Sequence, residues 1–170
     1  MPLVNKFFIN ILIIFILSVT SSYAEEIKKL GKFKDWEALV IVEENEVVCF
    51  AHSKPVLQSP KSKTREARLF VTFRPNDKII NEISTTSGYE YNSQNSIIAK
   101  SGKTKYKFDL VQDSFAWIVE NKVEKKMIKT MKRGSRIMIT GYNVSGSQTI
   151  DHYSLLGFTK AYNEVKKQCS

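Results

Sequence analysis

Apolar positions along the chain follow three rhythms. Residues 7–19 are almost continuously apolar, broken only by Asn10 and Ser18. From Trp36 onward, apolar residues come in short, largely alternating runs, the pattern of strands that bury one face. Two later segments instead repeat apolar residues every three to four positions, as one side of a helix does.

The alternating runs predict many short strands with turn residues between them. Residues 36–42 and 46–52 flank Glu43-Glu44-Asn45 and form a predicted hairpin. Residues 67–74 (ARLFVTFR) combine β-branched and aromatic side chains and stop at Pro75-Asn76-Asp77, with a further strand over 78–84. Tyr89, Ile97-Ile98, residues 106–110 and residues 115–119 mark more strands, and residues 136–142 and 149–155 pair around Ser145-Gly146-Ser147. The helical spacing occurs twice. Val123, Met127, Ile128 and Met131 share one face of residues 123–133, with Lys132 and Arg133 at the negative end of the dipole and Gly134 as the stop. Phe158, Ala161, Tyr162, Val165 and Cys169 form the apolar stripe of a C-terminal helix. The predicted fold class is therefore mainly β, a β-sandwich with two short helices, one of them C-terminal.

The first rhythm concerns compartment. Lys6 precedes the apolar run, and Ser22-Tyr23-Ala24 offers the small residues that signal peptidase reads, so residues 1–24 are expected to be a cleaved signal peptide. Residues 25–170 then make one domain, 170 − 24 = 146 residues long. No later run approaches the ~18 apolar residues of a transmembrane span. The chain carries 26 Lys and Arg against 17 Asp and Glu, a formal charge of +9 to which Lys6 contributes one. A basic, exported domain suits anionic partners such as phospholipid head groups or acidic polysaccharide. Export argues against nucleic acid.

Cys49 and Cys169 are the two cysteines, and an even count in an exported chain reads as a disulfide. Val47, Cys49 and Ala51 share one strand face, so docking of the C-terminal helix can bring Cys169 to Cys49. The enclosed loop of 169 − 49 = 120 residues is worth about 5 kcal/mol in the chain-entropy model.

Candidate chemistry is sparse. The stretch TIDHYSLLGFTK, residues 149–160, holds the residue types of a hydrolase in Asp151, His152 and Ser154. On a strand Asp151 and His152 point to opposite faces, and Ser154 lacks the G-x-S-x-G turn that exposes one class of nucleophile. The structural alternative has Asp151 accepting hydrogen bonds in a turn while Tyr153 or Leu155 packs inward. His52 and His152 are the only histidines, no metal-ligand spacing occurs, and the seven glycines form no phosphate-cradling loop. Neither metal nor cofactor is expected. Glu43-Glu44 and Asp77 read as turn residues, and Asp109, Asp113 and Glu120 as solvated strand edges. Two basic clusters stand out: Lys54, Lys61, Lys63, Arg65 and Arg68 in a loop, and Lys125, Lys126, Lys129, Lys132 and Arg133 on the polar side of the middle helix. Each is either a solvated face or a surface for anionic envelope components.

Several residues in order carry a likeness: Asp35-Trp36, Cys49, Ala116-Trp117 after Phe108 and Leu110, Met131-Lys132-x-Gly134, Gly141 and Gly146, Thr149-x-Asp151-x-Tyr153-Ser154-Leu155-x-Gly157-Phe158-Thr159, and Cys169. Together they resemble the invasion-associated locus B family of exported bacterial proteins, most specifically from residue 131 to 169. The resemblance implies a periplasmic or secreted single domain, an immunoglobulin-like β-sandwich and a disulfide between Cys49 and Cys169. It supplies no catalytic residues, and some members are linked to host-cell invasion. Trp36, Trp117, Tyr153 and Phe158 are then expected to be packing residues, and Asp151, Tyr153 and Gly157 to shape the turn before the last helix. The expected function is a non-enzymatic, envelope-associated protein that binds an anionic lipid, a polysaccharide or a protein partner. The alternatives are a small envelope hydrolase using His152 and an inhibitor or chaperone of another envelope protein.

Overall fold

The computed structural model describes residues 26–43, 46–61 and 64–169. The signal-peptide reading of residues 1–24, the turn residues Glu44 and Asn45, and Lys63 lie outside the described residues. Two antiparallel sheets pack around one core. β1 (Glu26–Phe33), β2 (Trp36–Glu43), β3 (Glu46–Ser53), β5 (Arg68–Arg74), β6 (Ile79–Thr86), β10 (Phe115–Trp117) and β9 (Leu110–Gln112) follow one another across the seven-stranded sheet. β4 (Leu57–Ser59), β12 (Gln148–Ser154), β11 (Arg136–Tyr142), β7 (Ile97–Ser101) and β8 (Thr104–Phe108) build the five-stranded sheet.

Both predicted hairpins form, β2 with β3 and β11 with β12. The sequence pattern missed three elements. β1 is an edge strand rich in lysine, which needs only one neighbour and whose charges discourage further pairing. β4 is a three-residue strand between prolines. The predicted run over 106–110 is two strands: β8 ends at Phe108 in one sheet and β9 starts at Leu110 in the other, so the chain changes sheets at Asp109. Tyr89, expected in a strand, lies in a bend, and the pairing nearby is an isolated bridge of Tyr91 with Asn143.

The core combines Trp36, Ala38, Cys49, Ala51, Leu69, Val71 and Phe73 from the larger sheet with Ile97, Ala99, Ile137, Ile139 and Tyr153 from the smaller. α1 (Asn121–Arg133) adds the predicted Met127, Ile128 and Met131. Gly134 closes this helix with extended backbone, φ −88°, not the left-handed conformation common at helix ends. Space is its requirement, because a Cβ there would stand 3.1 Å from both Leu155 Cδ1 and the Thr130 carbonyl oxygen.

α2 (Phe158–Cys169) buries all five residues of its predicted stripe and lies on β1, β2, β3 and β5. Phe158 meets Trp36 edge-on at 4.8 Å, and Tyr162 meets Phe73 at 5.6 Å. Tyr162 also donates to Asn81 Oδ1 at 2.6 Å. The disulfide Cys49–Cys169 ties the end of α2 to β3, with the two Cα atoms 6.0 Å apart. Among the described residues no helix is long and apolar enough to cross a membrane.

Candidate functional site

Strand β12 buries Thr149, Asp151 and Tyr153 and turns His152 and Ser154 to its other face. Asp151 is not the turn residue that the sequence led us to expect. It sits in mid-strand, fully buried, and receives Arg65 through two hydrogen bonds, Nη2 to Oδ1 at 2.6 Å and Nη1 to Oδ2 at 3.0 Å. Tyr153 also belongs to the strand and the core, and of the three residues expected to shape the turn only Gly157 does so. Arg65 is likewise no part of a solvated basic loop. Its Nη1 donates to the Ser87 carbonyl at 2.8 Å, Gln58 holds its backbone on both sides, and its guanidinium stands 5.6 Å over the Tyr89 ring. A buried charge needs such partners; both terminal nitrogens are committed, while Nε is buried without one. His152 meets neither Asp151 nor Ser154 in a hydrogen bond. Its Nδ1 is buried without a partner, and Ser154 Oγ accepts the Leu156 N–H at 3.2 Å.

The second basic cluster lies on α1 and divides by environment. Lys125, Lys126, Lys129 and Arg133 are exposed on α1, and no salt bridge among the described residues involves them. Lys132 differs. Its ammonium lies 3.8 Å from the centroid of Tyr162, a cation–π contact between the helices. Partial burial, with Lys166 nearby, holds its pKa below the usual lysine value.

Beneath the start of α1 lies a cavity of about 630 Å³, walled by Ile80, Leu110 and Trp117 and reached by Arg74, Lys78 and Lys125. Glu124 faces it from the helix. The residue is 4 % exposed, and its carboxyl accepts the Ile83 N–H at 2.9 Å. Burial pushes its pKa up to about 7 against the lowering effect of that hydrogen bond, and the charge of Glu82 adds to the rise. Glu124 escaped notice in the sequence, although it stands three, four and seven residues before Met127, Ile128 and Met131 and so had to share their buried side.

The outer face of the seven-stranded sheet carries a row of rings that sequence reading also missed. Phe50 and His52 of β3, Phe70 of β5, and Phe115 and Trp117 of β10 form it. Ring centroids are 6.0 Å apart for Phe50–Phe70, 5.9 Å for His52–Phe70, 6.2 Å for Phe70–Phe115 and 5.7 Å for Phe115–Trp117. Register explains the row: His52 lies opposite Phe70, Phe70 opposite Ser84, and Ser84 opposite Trp117, so a small residue on β6 leaves room for the rings on either side. The available signal was apolar character on both faces of β3 and β5, where a one-sided core needs only one. At the His52 end, Lys32, Lys34, Lys54 and Arg68 surround a cleft of about 430 Å³ with Asp35 and Glu37. Burial, and then the charge of Arg68, hold the His52 pKa below its ordinary value, and its Nδ1 is buried without a partner. Among the described residues no group of three His, Cys, Asp or Glu could hold a metal ion.

A family model described as "Invasion associated locus B (IalB) protein" matches residues 36–166. Among solved structures the fold is similar to the crystal structure of invasion associated protein B from Bartonella henselae, with a TM-score of 0.59 over 83 % of this chain and 97 % of that one. Identity between the two is 14 %, so this likeness concerns the fold alone. A comparison with curated proteins gives no significant match.

Proposed function

We propose, from the premise that the chain belongs to the invasion associated locus B family, that it is a non-catalytic protein of the periplasm or cell exterior that binds an anionic component of the envelope. One observation carries the reading: Lys125, Lys126, Lys129 and Arg133 form an exposed cationic strip on α1 with no salt bridge among the described residues. Such a strip is a ready contact for acidic head groups or acidic glycan. The disulfide supports an oxidising compartment. Commitment of Asp151 to Arg65 favours this reading over a hydrolase built on His152. The immunoglobulin-like character of the sandwich belongs to the same reading, supported by two antiparallel layers around one core.

The test is retention of the purified chain on immobilised anionic polysaccharide and on vesicles containing phosphatidylglycerol, at low and high salt. Retention that salt abolishes, and that weakens when Lys125, Lys126, Lys129 and Arg133 become Gln, supports the proposal. Equal retention on neutral and anionic supports ends it.

A further inference from the structure

We propose that the outer face of the seven-stranded sheet is a track for a linear acidic polysaccharide, whose sugar rings lie on the aromatic row while its negative groups reach the cations at both ends. The inference rests on the reading of an anion-binding envelope protein and adds a second surface and a ligand class. The row has the right construction. Neighbouring centroids stand 5.7 to 6.2 Å apart along Phe50, Phe70, Phe115 and Trp117, comparable with the advance of one sugar unit in an extended chain. Aromatic platforms hold successive rings of a polymer without reading a sequence of polar groups. Phe115 is 36 % exposed, and Phe50, Phe70 and Trp117 are half-buried.

Both ends of the row open into cationic clefts. His52 and Arg68 line the first, with Lys32, Lys34 and Lys54. Trp117 and Leu110 line the second, where Arg74, Lys78 and Lys125 outnumber Glu82 and Glu124 and Arg74 is paired with Glu82 at 2.7 Å. Lys32 is 3.5 Å from Glu37, Lys54 is 3.5 Å from Glu66, and Arg68 is 2.9 Å from Glu66. These exposed pairs are weak and yield to a polyanion. Lys34 takes part in no salt bridge among the described residues.

The same charge pattern chooses between occupants. A second copy of the chain stacked on this face about a two-fold axis would set cationic ends against cationic ends, which opposes self-association. A lipid tail calls for an enclosed apolar pocket, and the row is an open strip. An extended polymer with an apolar sugar face and spaced negative charges satisfies both the rings and the clefts.

Polygalacturonate, length-matched dextran and phosphatidylglycerol–phosphatidylcholine vesicles are the probes, with affinity measured on the full exported chain. The expected result is salt-sensitive binding of polygalacturonate over dextran, weakened about tenfold by Phe70→Ala with Phe115→Ala. Lys103→Gln with Lys105→Gln, exposed in the β7–β8 hairpin of the other sheet and lining neither cleft, should change it less than about threefold. Should the ring variants unfold, Lys34→Glu with Lys54→Glu, both on the surface, carries the same expectation. Unchanged polygalacturonate binding in the ring and cleft variants overturns the inference, and loss of all binding on α1 substitution alone overturns it while sparing the broader reading. Ring-dependent binding confined to vesicles, or a dimer that Phe115→Ala converts to monomer, assigns the face to another occupant. Failure of every anionic probe removes both proposals.

Discussion

Arg65 and Asp151, 86 positions apart, meet inside the molecule with Nη2 2.6 Å from Oδ1 and Nη1 3.0 Å from Oδ2; the carboxylate has no solvent exposure and the guanidinium side chain 11 %. The pair pins the segment between β4 and β5 to the middle of β12. Charges so far from water are tolerated only with their partners, and removing one partner of such a pair costs about 3–5 kcal/mol. Asp151→Asn is therefore expected to lower the unfolding free energy by roughly that amount, measured by guanidinium denaturation. Arg65→Lys should recover only part of it, since a point charge cannot make both bonds at once. A loss below about 1 kcal/mol in Asp151→Asn would mean that solvent reaches the pair.

The link between Cys49 and Cys169 closes a loop of 120 residues. It constrains the unfolded chain more than a short loop would, and its removal typically costs about 2–5 kcal/mol. Cys49→Ala with Cys169→Ala is expected to fall in that range by urea denaturation. The first consequence should be release of α2, because the bond sits at the helix's last residue. Hydrogen exchange should show α2 amides losing protection before those of β2 and β3. Uniform loss across all three would place the bond's effect on the whole fold.

Legibility in the sequence followed the sharpness of each signal. The period-two runs of β2, β3, β5 and β11, and the stripes of Met127–Ile128–Met131 and of α2, were visible because burial on one face leaves a periodic trace. β1 left none, since an edge strand bearing Lys28, Lys29 and Lys32 is polar where it meets water. Arg65 and Asp151 were both read locally, one as a loop charge and one as a turn acceptor. Their actual role is a contact 86 residues long-range, and a single sequence does not display which distant charges pair. The aromatic row was hidden for a related reason: register across four strands brings its rings together, while each strand alone shows only an ordinary aromatic residue.

Gly157 holds φ at +92°, and a Cβ added there would land on the Phe33 carbonyl oxygen. Gly146 has a comparable φ of +80° with open space around it. The two positions separate conformational strain from collision. Gly146→Ala is expected to cost about 1 kcal/mol, and Gly157→Ala roughly 3 kcal/mol or more, because the turn must move away from β1. Thermal melts of both variants check the contrast, and equal costs would show that the contact at Phe33 relaxes freely.

Glu124 makes stability depend on pH in a direction opposite to that of most surface carboxyls. Its pKa rises from 4.5 to about 7 in the folded protein, first because burial disfavours the charged form and then because Glu82 stands nearby, with the Ile83 N–H pulling the other way. Between those values the folded state holds a proton that the unfolded chain has released. Its contribution is thus fully present below pH 4.5 and is lost as pH rises through about 7. A shift of this size corresponds to roughly 3 kcal/mol at most, reduced to about 1–2 kcal/mol by water in the adjoining cavity. Glu124→Gln keeps an oxygen for the Ile83 N–H and removes the titration. Denaturation at pH 5 and pH 8 should therefore show the wild type losing about 1–2 kcal/mol more than Glu124→Gln over that interval. Parallel curves for the two proteins would mean that the carboxyl ionises freely and that the cavity beneath α1 is fully hydrated.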